Sequence, residues 1–150
     1  MNGLMNKKER YDFLKKDYCQ GFPSYCGIEV IFAGAGRFEV ELKPGPKHAQ
    51  REGFVHAGVL ATMADHTAGY AAYTLVDENT AILTIEFKIN YFKPATGKKI
   101  LCRSKIIHQG KKILVAESEL FSLAGNKEKL VSKAIVTLMA VASQPLSADK

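Results

Sequence analysis

The stretch Val55-His56-Ala57-Gly58-Val59-Leu60-Ala61-Thr62-Met63-Ala64-Asp65-His66-Thr67-Ala68-Gly69-Tyr70-Ala71-Ala72-Tyr73-Thr74-Leu75-Val76 decides how this chain folds. It is rich in Ala, Leu, Val and Met, free of Pro and roughly 20 residues long, so it is predicted to be a helix. Apolar residues lie almost all round it, and such a helix has to be buried on most sides. Gly58, Thr62, Asp65 and Gly69 share one face at helical offsets, where another group can approach closely.

Something must supply that burial, and the flanking sequence reads as strands. Beyond the turn Asp77-Glu78-Asn79, residues Ala81, Leu83, Ile85, Phe87, Ile89 and Tyr91 alternate with Thr84, Glu86, Lys88 and Asn90, which predicts a strand over 81–92 with one buried and one wetter face. Pro94-Ala95-Thr96-Gly97 turns the chain, and strands are predicted over 99–108, 113–122 and 130–141. Upstream, strands over 27–33 and 37–42 flank the turn Gly34-Ala35-Gly36, and Pro44-Gly45-Pro46 opens a loop that runs through Gly53. From Lys7 to Cys19, Tyr11, Leu14 and Tyr18 recur at helical spacing, predicting a short amphipathic helix that serves as a cover and not as core; Gly21-Phe22-Pro23-Ser24 breaks it.

The resulting order is ββαββββ behind an N-terminal helix. Connections after the central helix are of hairpin length, too short for parallel crossovers, so the sheet is predicted to be mostly antiparallel with about six strands. If that sheet curls around the apolar helix, both are satisfied. The expectation is an α+β chain of hot-dog architecture, a single unit over 1–150 with a helical extension over 1–20 and a core over about 27–142.

Composition supports this and narrows the function. A chain of 150 residues, 47% apolar, buries a sizeable core without disulfides or metal. No apolar run approaches a membrane span, and the first residues lack a signal-peptide apolar region, so the expected location is cytoplasmic and no membrane partner is expected. Cys19, Cys26 and Cys102 have neither even number nor Cys-x-x-Cys spacing, which argues against a disulfide framework and a zinc knuckle. The net charge of +6 comes with no basic stripe and no RNA-binding aromatic pattern; no nucleic-acid partner is expected, and a small phosphorylated ligand stays open.

Asp65 is the anomaly. A carboxylate in the middle of an apolar helix loses hydration unless it is paired or reaches water. Its bland reading is a carboxylate that is exposed or hydrogen-bonded to a nearby hydroxyl such as Thr62 or Thr67; its functional reading is catalysis. The helix start weighs toward the second, because Gly53, His56, Ala57 and Gly58 lie where a loop becomes a helix, and unpaired first-turn N–H groups can hold a developing oxyanion. Gly58 and Asp65 are seven residues apart, roughly 10 Å along a helix, yet both must reach one carbon within about 3 Å. One helix cannot do both. Two antiparallel helices about a two-fold axis can, so the active unit is expected to be a homodimer or a dimer of dimers.

These residues also carry a resemblance. The run from Gln50 to Asp65 is similar to the signature of the hot-dog acyl-CoA thioesterases of the phenylacetate-pathway (PaaI-like) type, and the likeness extends from about Gly27 to Val141, including Ile89 to Ala95 with Gly97 and His108 to Lys111. Ala57 departs from it, standing where that family usually has Gly. The resemblance implies an acyl-CoA substrate, with Asp65 as general base or as nucleophile, Gln50 orienting water or thioester, the amides of Ala57 and Gly58 polarising the carbonyl, and Thr84 assisting. For coenzyme A it implies Tyr91, Phe92, Lys93 and Pro94 together with His108, Gly110, Lys111 and Lys112, whose lysines meet phosphates as point charges. His56 more readily orders the loop than moves a proton, and His66 points about 100° away from Asp65, as a packing or interface residue. No metal or redox cofactor is expected: the i, i+4 histidine pair of a helical zinc site is missing among His48, His56, Asp65 and His66. The rivals are a hot-dog hydratase or dehydratase and a non-catalytic acyl-CoA-binding protein.

Overall fold

The computed structural model describes residues 5–143, so residues 1–4 of the expected extension and 144–150 of the expected single unit lie outside the described residues. Helices α1 (Lys7–Tyr18) and α2 (Gly21–Cys26) precede strands β1 (Ile28–Gly34) and β2 (Arg37–Leu42). A 3₁₀ turn at Pro46–His48 leads to α3 (Ala57–Tyr73), followed by β3 (Thr80–Tyr91), β4 (Lys99–Gln109), β5 (Ile113–Ala124) and β6 (Lys127–Ala142). The strands form one antiparallel sheet in the order β1-β2-β4-β5-β6-β3. Helix α3 packs across it, as the hot-dog reading requires. Met63, Ala64, Ala68 and Ala71 are fully buried against Phe38, Val40, Ile100, Leu114 and Val136, and the alanines let the helix lie close to the sheet.

Helix α3 is shorter than the apolar stretch at both ends. It starts at Ala57 because His56, in an extended conformation, caps it with its own side chain. It stops at Tyr73, where Thr74 Oγ1 donates to the Ala71 carbonyl (2.6 Å) and accepts from the Gly36 N–H (2.8 Å).

The N-terminal helix corrects its sequence reading. Leu14 and Tyr18 are fully buried, Tyr18 stacks on Phe38 at 5.5 Å, and its hydroxyl meets Thr67 Oγ1 at 3.0 Å. Helix α1 is therefore core, because α3 offers the one hydroxyl partner that lets a tyrosine be buried whole. The predicted break at 21–24 is instead the start of α2, where Pro23 sits in the first turn and forfeits no helical hydrogen bond.

Strand β3 departs from its predicted alternation. Its pairing with β6 shifts between Thr84 and Glu86, a bulge that adds one residue and reverses the faces. Before it, Ile82 is buried and Thr84 points to α3; after it, Phe87 and Tyr91 take the helix side, and Leu83 and Ile85 are left 55% and 50% exposed. Because β3 is also a sheet edge, those apolar side chains and a row of free backbone groups face outward.

The outer sheet face is charged and largely compensated. Lys99 pairs with Glu41 (2.7 Å), Arg103 with Glu128 (2.6 Å), and Lys105 and Lys133 both reach Glu117 (3.2 and 3.0 Å). Part of the basic excess is thus used within the sheet.

Candidate active site

The start of α3 is built by the loop before it. Gln50 closes a turn in which its N–H donates to the Phe54 carbonyl (2.8 Å) and its carbonyl accepts from Gly53 (2.9 Å); Gly53 has φ +86, which a side chain would strain. His48 is buried with both ring nitrogens used, Nε2 donating to the Cys26 carbonyl (2.6 Å) and Nδ1 accepting from Gly45 (2.9 Å). The His48 carbonyl in turn accepts from the His56 N–H (2.7 Å), which fixes the entry into the helix.

At that entry, His56 Nδ1 accepts from the Gly58 N–H (2.8 Å). The resemblance implies that the amides of both Ala57 and Gly58 meet the substrate carbonyl; in the structure the Gly58 N–H is engaged, and the first-turn N–H of Ala57 has no acceptor among the described residues. His56 is a helix cap here, and Gly58 is small for a reason: a Cβ would stand 3.0 Å from His56 Nδ1.

A cavity of about 430 Å³ opens at this end, lined by Gln50, His56, Ala57, Tyr91, Phe92, Lys93 and Pro94. Tyr91 ties its wall to the helix by donating its hydroxyl to the Ala57 carbonyl (3.1 Å). The other four residues expected to hold coenzyme A are not part of it. Gly110 and Lys111 line a second cavity with Leu75 and Val76, His108 a third with Leu75, and Lys112 is exposed beside them. The β4–β5 turn lies past the C-terminal end of α3, the opposite end from Tyr91, so one chain does not gather the two groups.

Asp65 lies in yet another cavity, with Phe22, Pro23, Thr62, His66 and Phe87. It is half-buried, and Thr84 Oγ1 donates to its Oδ1 at 2.7 Å, leaving Oδ2 open. Thr67, offered as a bland partner, is taken by Tyr18, and Thr62 Oγ1 donates back to the Gly58 carbonyl (2.8 Å). Asp65 and Ala57 are separated by eight helix positions, roughly 12 Å. The acid and the amide thus open into different cavities of the same chain. Phe22, Pro23 and Phe87 carry no local signal of a site: the first two read as a helix break, and alternation along the strand places Phe87 on the buried face. Among the described residues no cluster of His, Cys, Asp and Glu is gathered as a metal site. The Cys102 thiol is fully buried and pushed up to about 12, so it is no nucleophile.

Residues 52–129 match the model of a family described as the thioesterase superfamily. The chain belongs to that family. It is a thioesterase, and the match favours hydrolysis over the hydratase and binding-protein rivals. It is 25% identical over 111 residues to the 1,4-dihydroxy-2-naphthoyl-CoA hydrolase of Listeria monocytogenes, spanning 74% of this chain and 88% of that one. It is 25% identical over 101 residues to acyl-coenzyme A thioesterase 13 of Homo sapiens, spanning 67% and 71%. The crystal structure of a thioesterase family protein from Silicibacter pomeroyi matches with a TM-score of 0.84 at 30% identity, over 89% of this chain and 99% of that one.

His66 gives the enzyme a pH signature. Its ring packs between Tyr18 (4.4 Å) and Tyr70 (4.9 Å), and burial lowers its pKa below 6.5, against the opposing pull of the Tyr18 carbonyl and the charges of Asp65 and Asp17. The unfolded chain then takes up a proton before the folded one as pH falls. Stability is expected to be full above about pH 6.5 and to fall as pH drops toward the folded value. Melting curves between pH 7.5 and pH 5 check this (roughly one titration either side of an ordinary histidine): His66→Phe should flatten that part of the slope, and an unchanged slope would assign it elsewhere.

Proposed function

We propose that the enzyme hydrolyses thioesters of coenzyme A at two equivalent sites, each shared between two copies of the chain. The observation that carries this is the separation of Asp65 and the Ala57 N–H into different cavities, since a single chain offers no point that both can reach. Edge strand β3 supplies the joining surface: Leu83, Ile85, Phe87 and Tyr91 are at least a third exposed along an unpaired antiparallel edge. Pairing β3 with its two-fold mate covers that edge and lays the two α3 helices antiparallel, so Asp65 of one copy approaches the Ala57 end of the other. The same symmetry offers the means of bringing Tyr91 to Pro94 and His108 to Lys112 onto one ligand from two chains.

In this site Thr84 holds Oδ1 of Asp65 and turns Oδ2 toward water. Asp65 takes a proton from that water as its oxygen attacks the thioester carbon. The carbonyl oxygen gathers negative charge beside the Ala57 N–H at the positive end of α3. Collapse then breaks the carbon–sulfur bond, releasing the free acid and coenzyme A thiolate, which is protonated by solvent or by the Asp65 carboxyl. Gln50 orients the thioester from the Ala57 side, and Lys93 and Lys111 meet the phosphates. No metal or redox cofactor enters this sequence. Three unpaired cysteines suit a cytoplasmic setting.

Thiol release from short, medium, long and aromatic acyl-CoA esters tests the reading; absence of release from all of them would end it. Ile85→Lys tests the assembly. A charge on the bare edge is expected to yield a monomer by size-exclusion chromatography that has lost turnover while keeping its fold. A fully active monomer would remove the shared site.

A further inference from the structure

Ser104 on β4 and Ser118 on β5 interrupt the apolar face that the sheet turns toward α3. They stand directly opposite each other, between Phe38 on β2 and Ala134 on β6, and all four residues are buried. Ser118 Oγ donates to the Ala64 carbonyl (2.8 Å), which uses its single proton; in the 2.6 Å contact between the two hydroxyls Ser104 therefore donates and Ser118 accepts. Beside them the buried Cys102 thiol donates to the Met63 carbonyl (3.5 Å). Both carbonyls lie inside α3, where the helix already gives each an N–H partner, so neither needs a second donor. Burying hydroxyls there costs desolvation that alanine would avoid, and the net stability returned by such bonds is small.

What these bonds fix is position. The Ala64 carbonyl and the Asp65 nitrogen belong to one planar peptide unit, so a hydroxyl that holds the carbonyl holds the Asp65 backbone with it. Cys102 holds the peptide unit before, and Thr84 holds the far end of the same residue at Oδ1 (2.7 Å). Asp65 is thus located twice, its backbone from the closed side through β5 and its carboxylate from the open side through β3.

We infer that Ser118 is a positioning residue for hydrolysis, which sets where the Asp65 carboxylate stands by way of the Ala64–Asp65 peptide unit, with Ser104 orienting the Ser118 hydroxyl. The inference rests on the proposed role of Asp65 as the group that takes a proton from water. Without the Ser118 hydroxyl the Ala64 carbonyl keeps its helical partner, so α3 stays folded but loses its fixed seat on β5 at the turn that presents the acid. Misplacement there slows the chemical step and leaves substrate binding alone, because no substrate contact is removed.

The experiment measures kcat and KM by thiol release for Ser118→Ala, alone and combined with Asp65→Asn, at enzyme concentrations high enough to follow the slower variants. Ser118→Ala is expected to lower kcat roughly 10-fold, where a full ångström of misplacement costs about 10²-fold, and to leave KM within about 2-fold. In the Asp65→Asn background the same change is expected to alter the residual kcat by less than about 2-fold, since no base is left to misplace. A role in stability alone lowers the melting temperature and gives the same factor in both backgrounds. That equality overturns the inference, as does an unchanged kcat in Ser118→Ala. If Asp65→Asn by itself turns over as fast as the unaltered enzyme, the role of Asp65 has failed, and this shows before Ser118 is altered. Should Ser118→Ala not fold, Ser104→Ala carries the same cycle: it keeps the Ala64 contact, removes the donor that orients it, and is expected to lower kcat about 3-fold only while Asp65 is present.

Discussion

Replacing Asp65 by asparagine is expected to lower kcat by about 10²- to 10⁴-fold, the usual contribution of a positioned general base. The substitution is nearly isosteric, and an asparagine carbonyl oxygen can still accept from the Thr84 hydroxyl, so the fold and the melting temperature should change little. What is lost is the ability to take a proton from water. Asp65→Ala removes the Thr84 contact as well and should be at least as inactive. The measurement is thiol release at saturating ester, with the melting temperature as a control for folding. Turnover that survives Asp65→Asn would take the residue out of the chemistry and return it to the bland role of a hydrogen-bonded helix carboxylate.

The second large effect is expected from Ala57→Pro, because proline removes only the N–H that the structure leaves open. Ala57 is the first residue of α3, a position where proline is favoured, and His56 before it is already extended, as a residue preceding proline must be. The helix and its His56 cap should survive, while kcat falls by about 10²- to 10³-fold, the cost of one oxyanion donor. The pair of variants then tests the geometry of sharing. If each site takes Asp65 from one copy and Ala57 from the other, a mixed dimer of Asp65→Asn and Ala57→Pro has one doubly damaged site and one intact site. Co-expression should restore roughly a quarter of the unaltered activity from two inactive parents, as random two-fold pairing dictates. No restoration, in dimers shown to have mixed, would place both groups in one chain's site and contradict the separation of the two cavities.

Much of the fold was legible because its signals are local. The apolar run around Asp65 has to be a buried helix whatever surrounds it, and hairpin-length links force antiparallel neighbours. Tyr18 was misread because its burial depends on a hydroxyl 49 positions away, a partner that no window of sequence contains. Thr84 was assigned from resemblance, while simple alternation put it on the wet face; one bulge residue in β3 turned it toward Asp65. Gly58 was given an open amide because a helix start has several, and which of them a side chain takes is a matter of rotamer.

Residue order alone was enough for the class of fold and for the apolar helix with one carboxylate in it; the expectation of a second chain follows from helix rise and belongs to the proposal. Each follows from spacing along the backbone, which is the same in any surroundings. It takes the folded chain to show that Ala57 and not Gly58 keeps a free N–H, that Phe22, His66 and Phe87 meet around Asp65, and that the two lysines of the β4–β5 turn, Lys111 and Lys112, lie at the other end of the helix from Lys93. Those are encounters between residues distant in the chain, set by a bulge, a cap and a strand order whose energies come from packing and hydrogen bonds that exist only once the whole sheet has closed on the helix.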